Sequence, residues 1–320
     1  MRLSTPLVIA GLALVAAPAL AQDEGRRIVV RDVTREVVRE VLGAVKPGAY
    51  QGRNNGPEQT ERFSRKVKIG RDGRFSLNNI AGDIVVSAGS GDEVSIEAVK
   101  RTRGDKSELA NVQITVDDRA GRVDVRTEHE QNRRDRNGRS DHVSVDYTVT
   151  VPASVSVDLH SVSGSVKVSG VHGSLRAETV SGDVTIIDAP RLEAAKTVSG
   201  DVSLTGVTAD GDLSAASVSG NVEYAGGIAK GGRYEINAHS GTVRLLLANP
   251  GGFELNANSF SGSIRSDLPL TIGGDATRRN DSPRGRRDAV NNHSMRATFG
   301  DGSATIVVRT FSGDIIIDKR

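Results

Sequence analysis

Aspartates recur at one fixed place in a repeated phrase: Asp83, Asp183, Asp201 and Asp314 each follow a glycine. Stacked carboxylates are the chemistry of a calcium array, which needs an acid in successive repeats. The same place holds Ser165, Asn221, Thr242 and Ser263. Asp, Asn, Ser and Thr share the ability to cap a turn, so a corner role fits the whole column better than a metal role. Arginines form the second set. One cluster is Arg133, Arg134, Arg136 and Arg139; the other is Arg278, Arg279, Arg284, Arg286 and Arg287. Guanidinium forks of this kind grip phosphate-bearing anions; equally, such segments serve as solvated insertions. The six histidines (129, 142, 160, 172, 239, 293) lack ligand spacing, although His160 and His172 are near enough in sequence to meet across adjacent repeats. There is no phosphate-binding glycine loop, no nucleophile elbow and no H-E-x-x-H. With no cysteine, thiol chemistry and cysteine zinc sites are excluded. No catalytic residue, metal ligand or cofactor is expected.

These residues must be positioned by the repeat that carries them. The phrase reads Val-Ser-Gly-Ser-Val at 162–166, Val-Ser-Gly-Asp-Val at 180–184 and 198–202, and Val-Ser-Gly-Asn-Val at 218–222. It continues as His-Ser-Gly-Thr-Val at 239–243 and Phe-Ser-Gly-Ser-Ile at 260–264. Gly164, Gly182, Gly200, Gly220, Gly241 and Gly262 are spaced by 18, 18, 20, 21 and 21 residues. Gly82 and Gly313 are outlying members. A period of this size predicts a solenoid. Seven and five residues before each glycine stand pairs such as Val157/Leu159 and Leu213/Ala215; two and four after it stand pairs such as Val184/Ile186. Alternation of this kind predicts half-buried strands, two per repeat, meeting at a corner. Glu193 interrupts the first column, which predicts a one-residue bulge beside Leu192. Counted by parity, the glycines and the residues two before them, Val162 to Phe260, fall on the inward set. Gly then answers either a narrow lumen or a corner with φ above zero. The serines before each glycine are expected to form an outward hydroxyl ladder.

Before the repeats, residues 1–21 read as a secretory signal: Arg2, an apolar run from Leu7 to Val15, then Ala19-Leu20-Ala21, with a mature start at Gln22. Residues 22–61 read as an N-terminal arm and linker. The rhythm of Val33, Val37, Val38, Val41, Leu42 and Val45 fits a helix over 32–46, while its β-branched content fits a loosely packed arm. Residues 62–158 read as irregular β coils, and 159–320 as the solenoid proper, interrupted by an Arg-rich insertion at 273–292. The chain is expected to end on a final strand, 314–320, with terminal charges that discourage further edge pairing. Only 3% of residues are aromatic, with no Trp and 36 Gly, as a narrow β interior requires. Formal charge is +2, so bulk charge gives no reason to expect sequence-specific nucleic-acid binding. No later run reaches the ~20 apolar residues of a membrane-spanning helix, so no transmembrane segment is expected after signal cleavage.

The phrase (V/F)-S-G-(D/N/S)-(V/I) at this spacing resembles the bacterial putative adhesin family of unknown function, related to the auto-transporter-adhesin-like head GIN domains. The resemblance covers roughly 62–320. It includes Gly73-Arg74-Phe75-Ser76-Leu77 leading to Gly82-Asp83-Ile84, the Val151-Pro152 step, and the closing Phe311-Ser312-Gly313-Asp314-Ile315. It implies an all-β, right-handed parallel β-helix or β-solenoid, an exported or envelope-associated location, and no known catalysis. The expected function is a non-enzymatic binding surface at the cell envelope, with an envelope component or another protein as partner. A polysaccharide-processing β-helix enzyme and an anion-binding module acting through the arginine segments stand as alternatives.

Overall fold

The computed structural model describes residues 57–129, 143–209, 211–248, 250–272 and 293–320. Residues 1–21 read as a signal, the 32–46 segment, both arginine clusters and the rest of the 273–292 insertion lie outside the described residues. Ten strands make the middle of the solenoid and thirteen its two ends. The N-terminal strands are β1 (Gln59–Lys68), β2 (Arg74–Ala81), β3 (Ile84–Gly89), β4 (Glu93–Thr102), β5 (Val112–Arg119), β6 (Arg122–His129) and β7 (Ser144–Pro152). The middle holds β8 (Ser156–Ser163), β9 (Val166–Ser169), β10 (Leu175–Ser181), β11 (Val184–Ile187) and β12 (Leu192–Ser199). It continues through β13 (Val202–Val207), β14 (Asp212–Ser219), β15 (Val222–Gly226), β16 (Arg233–Ser240) and β17 (Val243–Leu247). The C-terminal strands are β18 (Phe253–Ser261), β19 (Ile264–Ser266), β20 (Thr271–Ile272), β21 (His293–Phe299), β22 (Ala304–Ser312) and β23 (Ile315–Lys319). One helical element is described, a 3-10 turn at Lys106–Asn111. No described helix is long and apolar enough to cross a membrane.

Each coil contributes the strand before its glycine to a twelve-stranded sheet and the strand after it to an eleven-stranded sheet. In the middle the coils stack parallel and nearly in register: Leu175 on Val157, Val184 on Val166, Leu204 on Ile186, Tyr234 on Leu213. The predicted bulge is present: Leu175 pairs with Leu192 and Arg176 with Ala194, leaving Glu193 as the extra residue. The core is one column of apolar side chains between the sheets. Val157, Leu159, Leu175, Ala177, Leu213 and Ala215 face it from one side, and Val166, Val168, Val184, Ile186, Val202 and Leu204 from the other. Both sheets therefore turn one face inward, as two-layered β architectures require.

The ends depart from sequence order. At the C-terminal end the sheets run β16-β22-β18 and β17-β23-β19. The coil formed by β22 and β23 thus sits between two coils that precede it in sequence. Gly313, an outlying member in sequence, stacks between Gly241 and Gly262, so the run of consecutive repeats is interrupted there. The final strand expected over 314–320 lies inside the stack and not at an edge, because β23 is paired on both flanks. The reason is the long connection: β18 is followed by the hairpin strands β20 and β21, and β21 pairs antiparallel on the outer flank of β18. That connection leaves the inner flank of β18 free for the returning chain. The N-terminal end repeats the device. The coil of β6 and β7 stacks outside β2 and β3, then β4, β1 and β5 close the edges antiparallel. Antiparallel capping strands of this kind hide the open end of a solenoid.

The N-terminal end also has a polar interior. Asn79 Nδ2 faces the carbonyls of Val145 (2.9 Å) and Gly82 (3.0 Å). Thr127 Oγ1 donates to Asn79 Oδ1 at 3.0 Å, so the Tyr147 hydroxyl, 2.7 Å from Thr127 Oγ1, donates to it. Burial pushes the Tyr147 phenol up to about 12, and the Thr127 contact opposes that.

Candidate binding surfaces

The geometry of the repeat corner decides what the solenoid displays. The corner glycines of the middle coils adopt φ between +144° and +156°. A Cβ on Gly200 would collide with the carbonyl of Gly182 in the neighbouring coil, so the obstacle is the stacked backbone and not the lumen. The ladder runs unbroken through the corner: Gly182 N donates to Ser199 O at 2.9 Å, and Val184 N to Asp201 O at 2.9 Å. The residue three before the glycine points inward. Thr179 Oγ1 donates to Gly164 O (3.0 Å), Thr197 Oγ1 to Gly182 O (2.8 Å) and Ser217 Oγ to Gly200 O (2.8 Å). Ser259 and Thr310 repeat the bond to Gly313 and Gly241. These hydroxyls were missed by reading apolar columns alone. Their signal was a small hydroxyl three residues before most of the glycines; Ala238 interrupts the column before Gly241, and the buried Ser161 hydroxyl before Gly164 has no hydrogen-bond partner among the described residues.

The parity expectation for the residues two before each glycine is therefore corrected. The strand ends at the corner, and parity cannot be counted through it. Among the described residues they form one outward ridge, in spatial order Ile80, Val162, Val180, Val198, Val218, His239, Phe311 and Phe260. All except His239 are large apolar side chains 40–52% exposed. At the C-terminal end the rings stack: Phe260 on Phe311 with centroids 4.7 Å apart, Phe311 on His239 at 5.0 Å. Stacked along the coil axis, they present ring edges outward. Beside the ridge run the exposed serines 163, 181, 199 and 219.

The aspartate column has the corner role. Asp83 Oδ1 accepts from Ser165 N (2.8 Å), Asp183 Oδ1 from Asp201 N (2.8 Å), and Asp201 Oδ1 from Asn221 N (2.7 Å). Asn221 does the same for Thr242 N at 2.9 Å. Each side chain thus caps the corner of the next coil. Asp314 accepts from Ser263 N (2.7 Å) and Oγ (2.9 Å), and these bonds, with Arg265 nearby, hold its carboxyl below the usual range. No group of three or more His, Asp or Glu fit to hold a metal is found among the described residues. His160 lies by Asp158 (3.1 Å) and Glu178 (3.7 Å), His172 by Asp188 (3.5 Å).

The outer faces differ. Beside the ridge, the twelve-stranded sheet carries paired charges: Arg176 with Glu193 (3.2 Å), Lys196 with Glu178 (3.9 Å), Arg309 with Glu235 (2.9 Å). The eleven-stranded sheet carries Thr148, Val85, Lys167, Thr185, Ser203 and Glu223 in one outward column, with Thr150, Ser87, Ser169, Ile187 and Thr205 beside it. The arginine segments are not placed, but their flanking strands are. Residues 130–142 join β6 to β7, and 273–292 join β20 to β21, at opposite ends of the stack.

Among solved structures, the chain is similar to a putative cell adhesion protein from Clostridium sporogenes, at 12% identity and TM-score 0.36 over 82% of this chain and 100% of that one. It is similar to a putative adhesin from Bacteroides fragilis, at 13% identity and TM-score 0.36 over 80% and 97% of the two chains. A putative lipid binding protein from Parabacteroides distasonis matches at 12% identity and TM-score 0.30 over 83% and 98%. No curated protein matches the chain. Residues 187–318, which hold the second half of the middle coils and the whole C-terminal end, match the family Toastrack DUF4097. This match falls on coils that carry the repeated corner of the β-solenoid.

Proposed function

We propose that this protein is a non-enzymatic binding protein, exported to the cell envelope, whose solenoid presents a long rigid face to an envelope component or a protein partner. The observation that carries the proposal is the outer face of the eleven-stranded sheet. Its side chains come one per coil, at ~4.8 Å intervals, and mix hydroxyls (Thr148, Thr185, Ser203, Ser169, Thr205) with charges such as Lys167, Glu223 and Arg244 and with the apolar Val85 and Ile187. Such a face offers several hydrogen-bonding rows at one pitch and suits an extended partner. A glycan-processing groove instead needs two acids converging on one bond. The secretory leader read at 1–21 supports export, to the periplasm, the cell surface or the medium.

The test is co-sedimentation of the exported protein with isolated peptidoglycan and outer-membrane vesicles. A variant with Lys167→Asp, Thr185→Asp and Ser203→Asp places three charges in one column of the face. Pelleting of the wild type that is lost in this variant is the expected result. Pelleting unchanged by the substitutions, or no pelleting with any fraction, would remove the face from the proposal.

A further inference from the structure

The apolar ridge is not used by that reading and needs its own account. Soluble proteins seldom expose contiguous apolar patches of several hundred Å² without a partner. The ridge spans seven coil steps, about 34 Å at ~4.8 Å per step. Its side chains come from separate coils, so nothing in the corner geometry forces them to be apolar. The serines one residue later hold an equally exposed column.

We propose that the ridge is the contact by which two copies of this protein pair lengthwise, antiparallel, about a two-fold axis near Val198 and Val218. Spacing selects the partner. An α-helix repeats every ~5.4 Å and a strand presents same-face side chains ~6.7 Å apart. Against a ~4.8 Å ridge the helix slips by roughly 4 Å over its length, and the strand by more. A second solenoid of the same pitch stays in step from end to end. Area fits as well. Half-exposed Val, Ile and Phe side chains supply on the order of 600 Å² along the ridge, near the ~800 Å² that each partner gives a standard interface. The two-fold gives a closed pair and not a fibre.

The antiparallel arrangement sets each flank of the ridge against the same flank of the other copy in reverse order. Two residues earlier in each coil stand His160, Glu178, Lys196, Ala216, Asn237 and Arg309. About an axis between Val198 and Val218, Glu178 comes opposite Asn237, Lys196 opposite Ala216 and Arg309 opposite His160, so no carboxylate meets a carboxylate and no lysine a lysine. The aromatic end of one ridge then lies on the Val162 and Ile80 end of the other.

Sedimentation equilibrium of the full exported chain tests this. The wild type should pass from one to two masses as concentration rises through the micromolar range. The variant Val180→Lys, Val198→Lys, Val218→Lys should remain at one mass, with an unchanged thermal midpoint as evidence that it is folded. The native chain has no cysteine, so cross-linking is unambiguous. Mixed Val162→Cys and Phe311→Cys proteins should form a disulfide-linked heterodimer, while Glu223→Cys, on the opposite sheet, should not link. A wild type that stays at one mass throughout, or pairs equally well with the three lysines, would overturn the proposal. So would Phe260→Cys linking to itself in preference to the mixed pair, which means a parallel arrangement. Pelleting on phosphatidylcholine–phosphatidylglycerol vesicles that the lysines abolish, with no dimer, would reassign the ridge to a lipid surface.

Discussion

From β10 to β17 each coil stacks on the coil that precedes it in sequence, whereas the coil of β22 and β23 stacks between two that precede it. The middle has an apolar interior of Val, Leu, Ile and Ala, relieved near its end by Tyr224 and Tyr234. These two meet edge to face at 5.8 Å, and their hydroxyls donate to the carbonyls of Val207 and Ala209. The N-terminal end instead holds the chain of hydrogen bonds through Asn79, Thr127 and Tyr147. The difference separates two tasks. The repeated phrase sets the shape of a coil, and any coil of that shape fits any other. Order along the stack is set only at the ends, by antiparallel strands and by side chains that occur once.

Two deletions should break the comparison most sharply. Removing residues 184–201 takes out one coil and joins Asp183 to Val202, restoring the Val-Ser-Gly-Asp-Val phrase. Nearest-neighbour stacking predicts a folded protein whose thermal midpoint falls by only a few degrees. Removing 304–320 takes a similar length but withdraws the only described parallel partner of both β18 and β19. We expect loss of cooperative unfolding at that end, read as amide exchange in 233–272 rising toward that of unfolded chain. Equal damage from the two deletions would mean that middle and end are not built differently.

A single substitution probes the middle alone. Gly200→Val forces a branched residue to φ +148° and drives its Cβ into the Gly182 carbonyl. The cost should be about 3 kcal/mol or more in urea unfolding, from backbone strain and overpacking together. The inward hydroxyls give a smaller and two-signed effect. Thr197→Val leaves the Gly182 carbonyl without its hydroxyl partner and should cost about 1–2 kcal/mol. In the same column Ala238 has no hydroxyl to offer. Ala238→Thr should restore the bond to Gly220 O and gain about 0.5–1 kcal/mol in the same assay. A stabilising Ala238→Thr would show that the column acts as a ladder and not as a series of accidents.

Most of the coil was legible because its signals are local. Strands of period two, a glycine at each corner, an Asp or Asn to cap the next corner, and the Glu193 bulge are all written within one repeat of ~20 residues. The Val162-to-Phe260 ridge was misassigned because even offsets on both sides of the glycine look continuous. The corner breaks that continuity, and only the serines and threonines three before the glycine mark where the inward face ends. The place of β22 was illegible for a different reason. Tyr234/Ile236, Ile306/Val308 and Leu255/Ala257 present nearly equivalent inward pairs, so side-chain pattern does not rank the neighbours of β16. The decision lies in the connection through β20 and β21, whose composition carries no strand signal of its own. Of the candidate surfaces, the hydroxyl face follows from alternation, and the ridge could be seen only once the corner was in place.

The slot occupied by β22 and β23 has a consequence for how the molecule is made. A chain emerging from its N-terminus can add coils one at a time as far as β17, each on a template already present. At β18 that growth must pause, because the rightful neighbour of β16 lies some forty residues further along. When it arrives it must enter between β16 and β18, with a strand to pair on each flank. The last coil is therefore added by insertion and not by extension, and until then the facing flanks of β16 and β18 stay open to another chain.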